Sequence, residues 1–148
     1  MNKLLFICIL SIASFSLQAQ SLKPADVPAA VTSVFKYNYP YATNAKWEME
    51  DGMYEVSFQN AKKEMSVLYS SKGQLAMTET ACEVSELPAG VIEYITKNMA
   101  GAKITEASKQ VDALGNVSYE AKVNNADYLF SATGQFILKQ VDEDGDND

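Results

Sequence analysis

Val27-Pro28-Ala29-Ala30-Val31-Thr32-Ser33-Val34-Phe35 returns as Leu87-Pro88-Ala89-Gly90-Val91-Ile92-Glu93-Tyr94-Ile95, and this recurrence decides the fold. Outward from it, Tyr54-Glu55 returns as Tyr119-Glu120 and Gly73-Gln74 as Gly134-Gln135, at offsets of 60, 65 and 61 residues. An offset that wanders by a few residues is what loop insertions leave between two copies of one supersecondary unit. The chain is therefore read as a duplication.

Each recurring segment has helical periodicity. Val27, Val31, Val34, Phe35 and Asn38 lie on one helical face, as do Leu87, Val91, Tyr94, Ile95 and Asn98. Asp26 or Ser21 is the expected cap of the first helix, with Pro28 in its first turn and Pro40 as its stop. Ser85 and Glu86 precede the second, and Gly101 follows where a left-handed residue ends a helix.

After each helix the period shortens toward two. Strands are expected at 45–50, 53–59, 63–70 and 74–80 in the first copy and at 103–111, 117–123, 126–131 and 135–141 in the second. Asp51-Gly52 between two such runs is a strong hairpin signal, because both central residues of a type I′ turn need positive φ. Alternation puts Tyr54, Val56, Phe58, Met65, Val67 and Tyr69 on one face, with Glu55, Ser57, Glu64 and Ser66 on the other. In the second copy Tyr119, Ala121, Val123, Tyr128 and Phe130 oppose Glu120, Lys122 and Asp127. The expected fold class is α+β: a helix plus a four-stranded antiparallel meander, twice. A single such unit leaves an open sheet edge and a small core, so the copies are expected to join into one continuous eight-stranded sheet, with both helices on one side and a polar face open.

Residues 1–20 have the layout of a secretory signal peptide: Lys3, an apolar run from Leu4 to Leu10 continued by Ile12, Ala13 and Phe15, then a polar end with cleavage near Ala19 or Gln20. The remainder divides into a first repeat at 21–82, a second at 83–141 and an acidic tail at 142–148. About 128 residues are enough for one domain with a continuous core. The expected location is the periplasm or the exterior, as a soluble protein with no membrane insertion after cleavage.

Only Cys82 remains outside the leader, so the fold is not a disulfide scaffold, and a small apolar role for Cys82 is favoured over a reactive thiol. A net charge of −7 with no Lys/Arg cluster argues against nucleic acid as a partner. The sequence contains no histidine, which removes the usual general base near neutral pH, the common catalytic triads and histidine-ligated zinc. No enzyme activity and no cofactor are expected.

In order, a helix opening on Val/Leu-Pro, the Tyr39-Pro40 stop, Trp47, Tyr54-Glu55-Val56 on the next strand, and Gly73 followed by Leu75 resemble the tandem PepSY-like, β-lactamase-inhibitor-like secreted proteins of Bacteroidetes. The resemblance spans about Ala25 to Val141. It implies a duplicated α-β4 fold, export, and no established catalytic residues, with enzyme inhibition as one form of function. The second copy departs from it: Met99-Ala100 replaces the Tyr-Pro stop, and nothing matches Trp47. A surface marked by Trp47 would belong mainly to the first copy, and function is expected where the copies differ.

Three readings follow. The leading one is a binding module that takes an unknown protein or peptide on the open sheet face, through Trp47, Tyr41, Met49, Glu48, Glu55 and Glu120. Large aromatics at a helix stop also serve as core packing, which is the competing assignment for Tyr37, Tyr39, Tyr41 and Trp47. The second is a small-molecule or calcium protein, with Asp142, Asp144 and Asp146 as alternate oxygen ligands, although an unstructured acidic tail accounts for that run as well. The third and most remote is a hydrolase using carboxylates among Glu48, Glu50, Asp51 and Glu55, set about 5 to 9 Å apart.

Overall fold

The apolar/polar alternation becomes sheet in the computed structural model, which describes residues 20–141. The expected leader, apart from Gln20, and the tail residues Asp142, Asp144 and Asp146 lie outside the described residues. Strand β1 is Gln20–Leu22, helix α1 is Ala29–Asn38, and β2 to β5 are Thr43–Glu50, Met53–Asn60, Lys63–Tyr69 and Leu75–Ala81. Helix α2 is Ala89–Asn98, and β6 to β9 are Ile104–Asp112, Val117–Val123, Ala126–Ser131 and Phe136–Val141. All nine strands form one antiparallel sheet in chain order. The expected sheet had eight; β1, too short for an alternation to be read, is the ninth.

Three of the hairpins turn on two successive residues of positive φ. Asp51 and Gly52 are at +47° and +77°, and Asn124 and Asn125 at +52° and +59°. Between β3 and β4 the same positions fall to Ala61 (+50°) and Lys62 (+70°), neither of which favours that region.

Neither Ser21 nor Asp26 caps α1. Ser21 pairs with Glu48 in the sheet, Asp26 lies in a short 3-10 turn, and Pro28 stands at the cap position without a side-chain bond. Its carbonyl accepts from the Val31 and Thr32 amides at 3.0 and 3.1 Å. Pro88 occupies the same place in α2.

The recurring Gly-Gln turns lock each helix onto the sheet. At Gly134 (φ +82°) a Cβ would stand 2.9 Å from the Val91 nitrogen, and at Gly73 (φ +77°) 2.9 Å from the Ala30 carbonyl oxygen. Only glycine allows both the backbone conformation and this approach. The loops are shaped by a serine three residues earlier. Ser70 Oγ accepts from the Lys72 and Gln74 amides at 3.3 and 3.2 Å, and Ser131 Oγ from those of Thr133 and Gln135 at 3.3 and 3.1 Å.

Both helices cover the same sheet face, but the core is not continuous; it divides into one cluster per copy. Val31 and Phe35 pack with Trp47, Val56, Phe58, Val67 and Tyr69. Val91 and Ile95 pack with Ala107, Ala121, Val123, Tyr128 and Phe130. Register makes Trp47 (opposite Val56) the counterpart of Ala107 (opposite Ala121). The second copy carries its aromatic volume elsewhere: the Tyr94 and Tyr128 rings lie 4.6 and 6.4 Å from Phe136 on β9, and Tyr94 is 5.5 Å from Phe130. The missing second tryptophan therefore reflects a redistribution of packing volume.

Candidate functional site

Trp47 is 5 % exposed and meets the Phe35 ring edge-on at 5.4 Å. It belongs to the core under α1, not to the open face. Met49, in register with Tyr54, shares the helix-covered side. Tyr41 is 85 % exposed in the link between α1 and β2, and Tyr37 is equally open on α1, whereas Tyr39 joins the core 4.7 Å from Phe58. The aromatic concentration thus splits into core anchors and two outward tyrosines.

The carboxylates behave differently. Strand alternation sends Glu48, Glu55 and Glu120 to the open face, where Glu48 and Glu55 are directly opposite one another. A groove of about 430 Å³ crosses this face, lined from β3 to β8 by Glu55, Ser57, Ser66, Glu79, Ser108 and Glu120 among others. It gathers Glu55 and Glu120; Glu48 stands one strand beyond its lining. A second depression near Asn44 and Lys46 shares Ser57, Glu64 and Met65 with it, so the two run together across the sheet.

At the centre of the groove the two copies meet. Glu79 on β5 is in register with Gln110 on β6, and Ser108 on β6 is in register with Glu120 on β7. Gln110 is 8 % exposed; its Nε2 donates to Glu79 Oε2 at 3.0 Å and to Glu120 Oε2 at 3.2 Å, while its Oε1 accepts from Ser118 Oγ at 3.3 Å. Burial, reinforced by the charges of Glu79 and Asp127, pushes the Glu120 carboxyl up to about 7, against the opposing pull of Gln110 and Lys122. Burial also raises Glu79; the Gln110 amide and the nearby Ser108 hydroxyl lower it, and the Glu55 and Asp127 charges raise it. Towards the edge, Glu50 is raised by burial and then by Glu55 and Asp51.

Sequence reasoning did not single out Glu79, Gln110 or Ser108. The available signal was positional: each falls on the polar side of a strand in the middle of the sheet, where neighbours on both sides remove it from water. Among the described residues no group of acidic or cysteine side chains is arranged to hold a metal ion. Cys82 lies at the groove's edge, half-buried, with burial raising its thiol. No described helix is long and apolar enough to cross a membrane.

Solved structures share this architecture. A proposed periplasmic protein from Bacteroides eggerthii matches at TM-score 0.68 and 18 % identity, covering 77 % of this chain and 88 % of its own. A DUF2874 family protein from Bacteroides uniformis matches at 0.66 and 21 %, covering 76 % and 88 %. A BLIP-like protein from Bacteroides fragilis matches at 0.61 and 22 %, covering 82 % and 91 %. At these identities the likeness shows the fold. No curated protein matches the chain. The model of a family described as beta-lactamase-inhibitor-like, PepSY-like matches twice, at residues 15–77 and 76–139. The repeat read from the sequence is thus a repeat of this unit, and the chain belongs to the PepSY-like, beta-lactamase-inhibitor-like family.

Proposed function

We propose that the protein is an exported, non-enzymatic binding module that takes a segment of another protein, or a peptide, in the groove of its open sheet face. The observation that carries this reading is the groove: a depression of about 430 Å³ crossing six strands on the side away from both helices, with polar and acidic side chains on its walls. A long depression of this kind suits an extended segment better than a compact small molecule. Inhibition of an enzyme by capture of a surface loop is one form of such binding, supported by the family description alone. Export is supported by the leader-like layout of residues 1–20 and by the description of the Bacteroides eggerthii protein as periplasmic.

Site-specific crosslinking tests the reading. A photoreactive phenylalanine analogue at Ser57 or Ser66, in the groove, is expected to trap a discrete partner in envelope extract, and the same group at Glu93, exposed on α2, is not. Trapping from Glu93 with none from Ser57 or Ser66 would place the interface on the helix side and overturn it.

A further inference from the structure

The middle of the groove holds more acceptors than the chain uses. Glu79 and Glu120 share one amide nitrogen of Gln110. A carboxylate offers about four lone-pair sites, so both keep unused acceptor capacity. Ser108 lies on the same face, 7 % exposed, and lines the groove. Its Oγ is near enough to Glu79 to soften that charge, yet it is buried without a hydrogen-bond partner of proper geometry. A buried hydroxyl with no partner is costly and uncommon. Two half-buried acids beside such a hydroxyl form a site short of donors and of positive charge.

We propose that Glu79, Glu120 and Ser108 form the seat for a lysine ammonium carried by the bound segment. An ammonium brings three N–H donors and no acceptor, which matches two carboxylates and one hydroxyl, and its charge offsets the pair. Around the seat, Glu55 on β3, Glu64 on β4, Glu106 on β6 and Asp127 on β8 add negative charge, while Lys122 on β7 subtracts from it. The Glu79–Gln110 contact joins strands of different copies, 31 residues apart in sequence, so the seat exists only because the repeats are fused. The proposal rests on the groove being a peptide site, and it names the side chain that the groove selects.

The test is an NMR titration of the labelled protein with two capped pentapeptides, Ala-Ala-Lys-Ala-Ala and its norleucine analogue, which keeps the aliphatic stem and lacks the charge. The lysine peptide is expected to shift the Gln110 side-chain amide and the Glu79 and Glu120 carboxyl carbons, and to bind about tenfold tighter than the norleucine peptide, the worth of one partly buried ion pair. The preference is expected to grow from pH 5.5 to pH 8 as Glu120 loses its proton, and to vanish in E79Q/E120Q. Ser108→Ala, which keeps both acids, is expected to weaken the lysine peptide by roughly threefold, as one hydrogen bond does. Equal binding of both peptides in the groove overturns the seat and leaves the peptide site standing. No shift at the groove with either peptide overturns both.

Discussion

Glu79 and Glu120, on strands that do not touch, accept hydrogen bonds from one and the same nitrogen of Gln110. The amide between them holds two acids within reach of each other's charge. Because the Glu120 carboxyl is raised from 4.5 to about 7 in the folded chain, the folded state binds more protons than the unfolded one across that window. Stability therefore falls as the pH rises through it. After discounting for partial exposure, the loss for Glu120 is on the order of 1–2 kcal/mol. Thermal melts are expected to give a Tm a few degrees higher at pH 5 than at pH 8, and Glu120→Gln to raise the pH 8 value while leaving pH 5 almost unchanged. A melt that is flat in wild type, or lower at pH 5, would contradict the burial of this acid.

Trp47→Ala is expected to destabilise the chain by about 3–5 kcal/mol, because it empties the space against Phe35 and Val56. Tyr41→Ala, at an exposed loop, should change stability by less than about 0.5 kcal/mol. Chemical denaturation of both variants measures the contrast. Similar values for the two would place Trp47 outside the core.

Gly134 and Gly115 share almost the same positive φ, +82° and +83°, but only Gly134 has backbone within 4 Å of where a Cβ would be. Gly115→Ala should cost about 1 kcal/mol for conformation alone, and Gly134→Ala at least about 2 kcal/mol because α2 must also shift. Equal losses in denaturant melts would show that the turn does not clamp the helix.

The β3–β4 turn places Ala61 and Lys62 in the left-handed region. Replacing them together by Asn and Gly, which tolerate it, is expected to stabilise by about 1 kcal/mol and to raise Tm by roughly 3–6 °C. Calorimetry checks this, and a lower Tm would mean that the turn is held by something other than its backbone.

The meanders were legible because alternation and turn residues agree. The strands expected at 117–123 and 126–131 coincide with β7 and β8, and Asp51-Gly52 forms the predicted turn. Each of these signals is local. The polar partners of Glu120 were not legible, since Glu79, Gln110 and Ser108 meet only through the register between β5, β6 and β7. Trp47 misled for a related reason. A residue present in one copy and absent from the other suggests a special role, but Trp47 is a core residue, and the second copy has small Ala107 at that position with its large rings, Tyr94 and Tyr128, beside Phe136. Glu55 and Glu120, which the copies share, proved to line the groove together.

Ser21 pairs with Glu48 on β2, and sixty residues later Ala81 pairs with Ser108 on β6. The end of β5 thus stands to the second copy as β1 stands to the first. One strand finishes a unit by beginning the next, so the boundary between units runs through a strand and not through a linker. Such a fold has a rule for growth built into it: β9, now at the margin, is placed where a third unit would begin. Each added unit would extend the sheet by four strands and make another junction between copies, at which β9 would offer Gln140 in the place that Glu79 holds on β5.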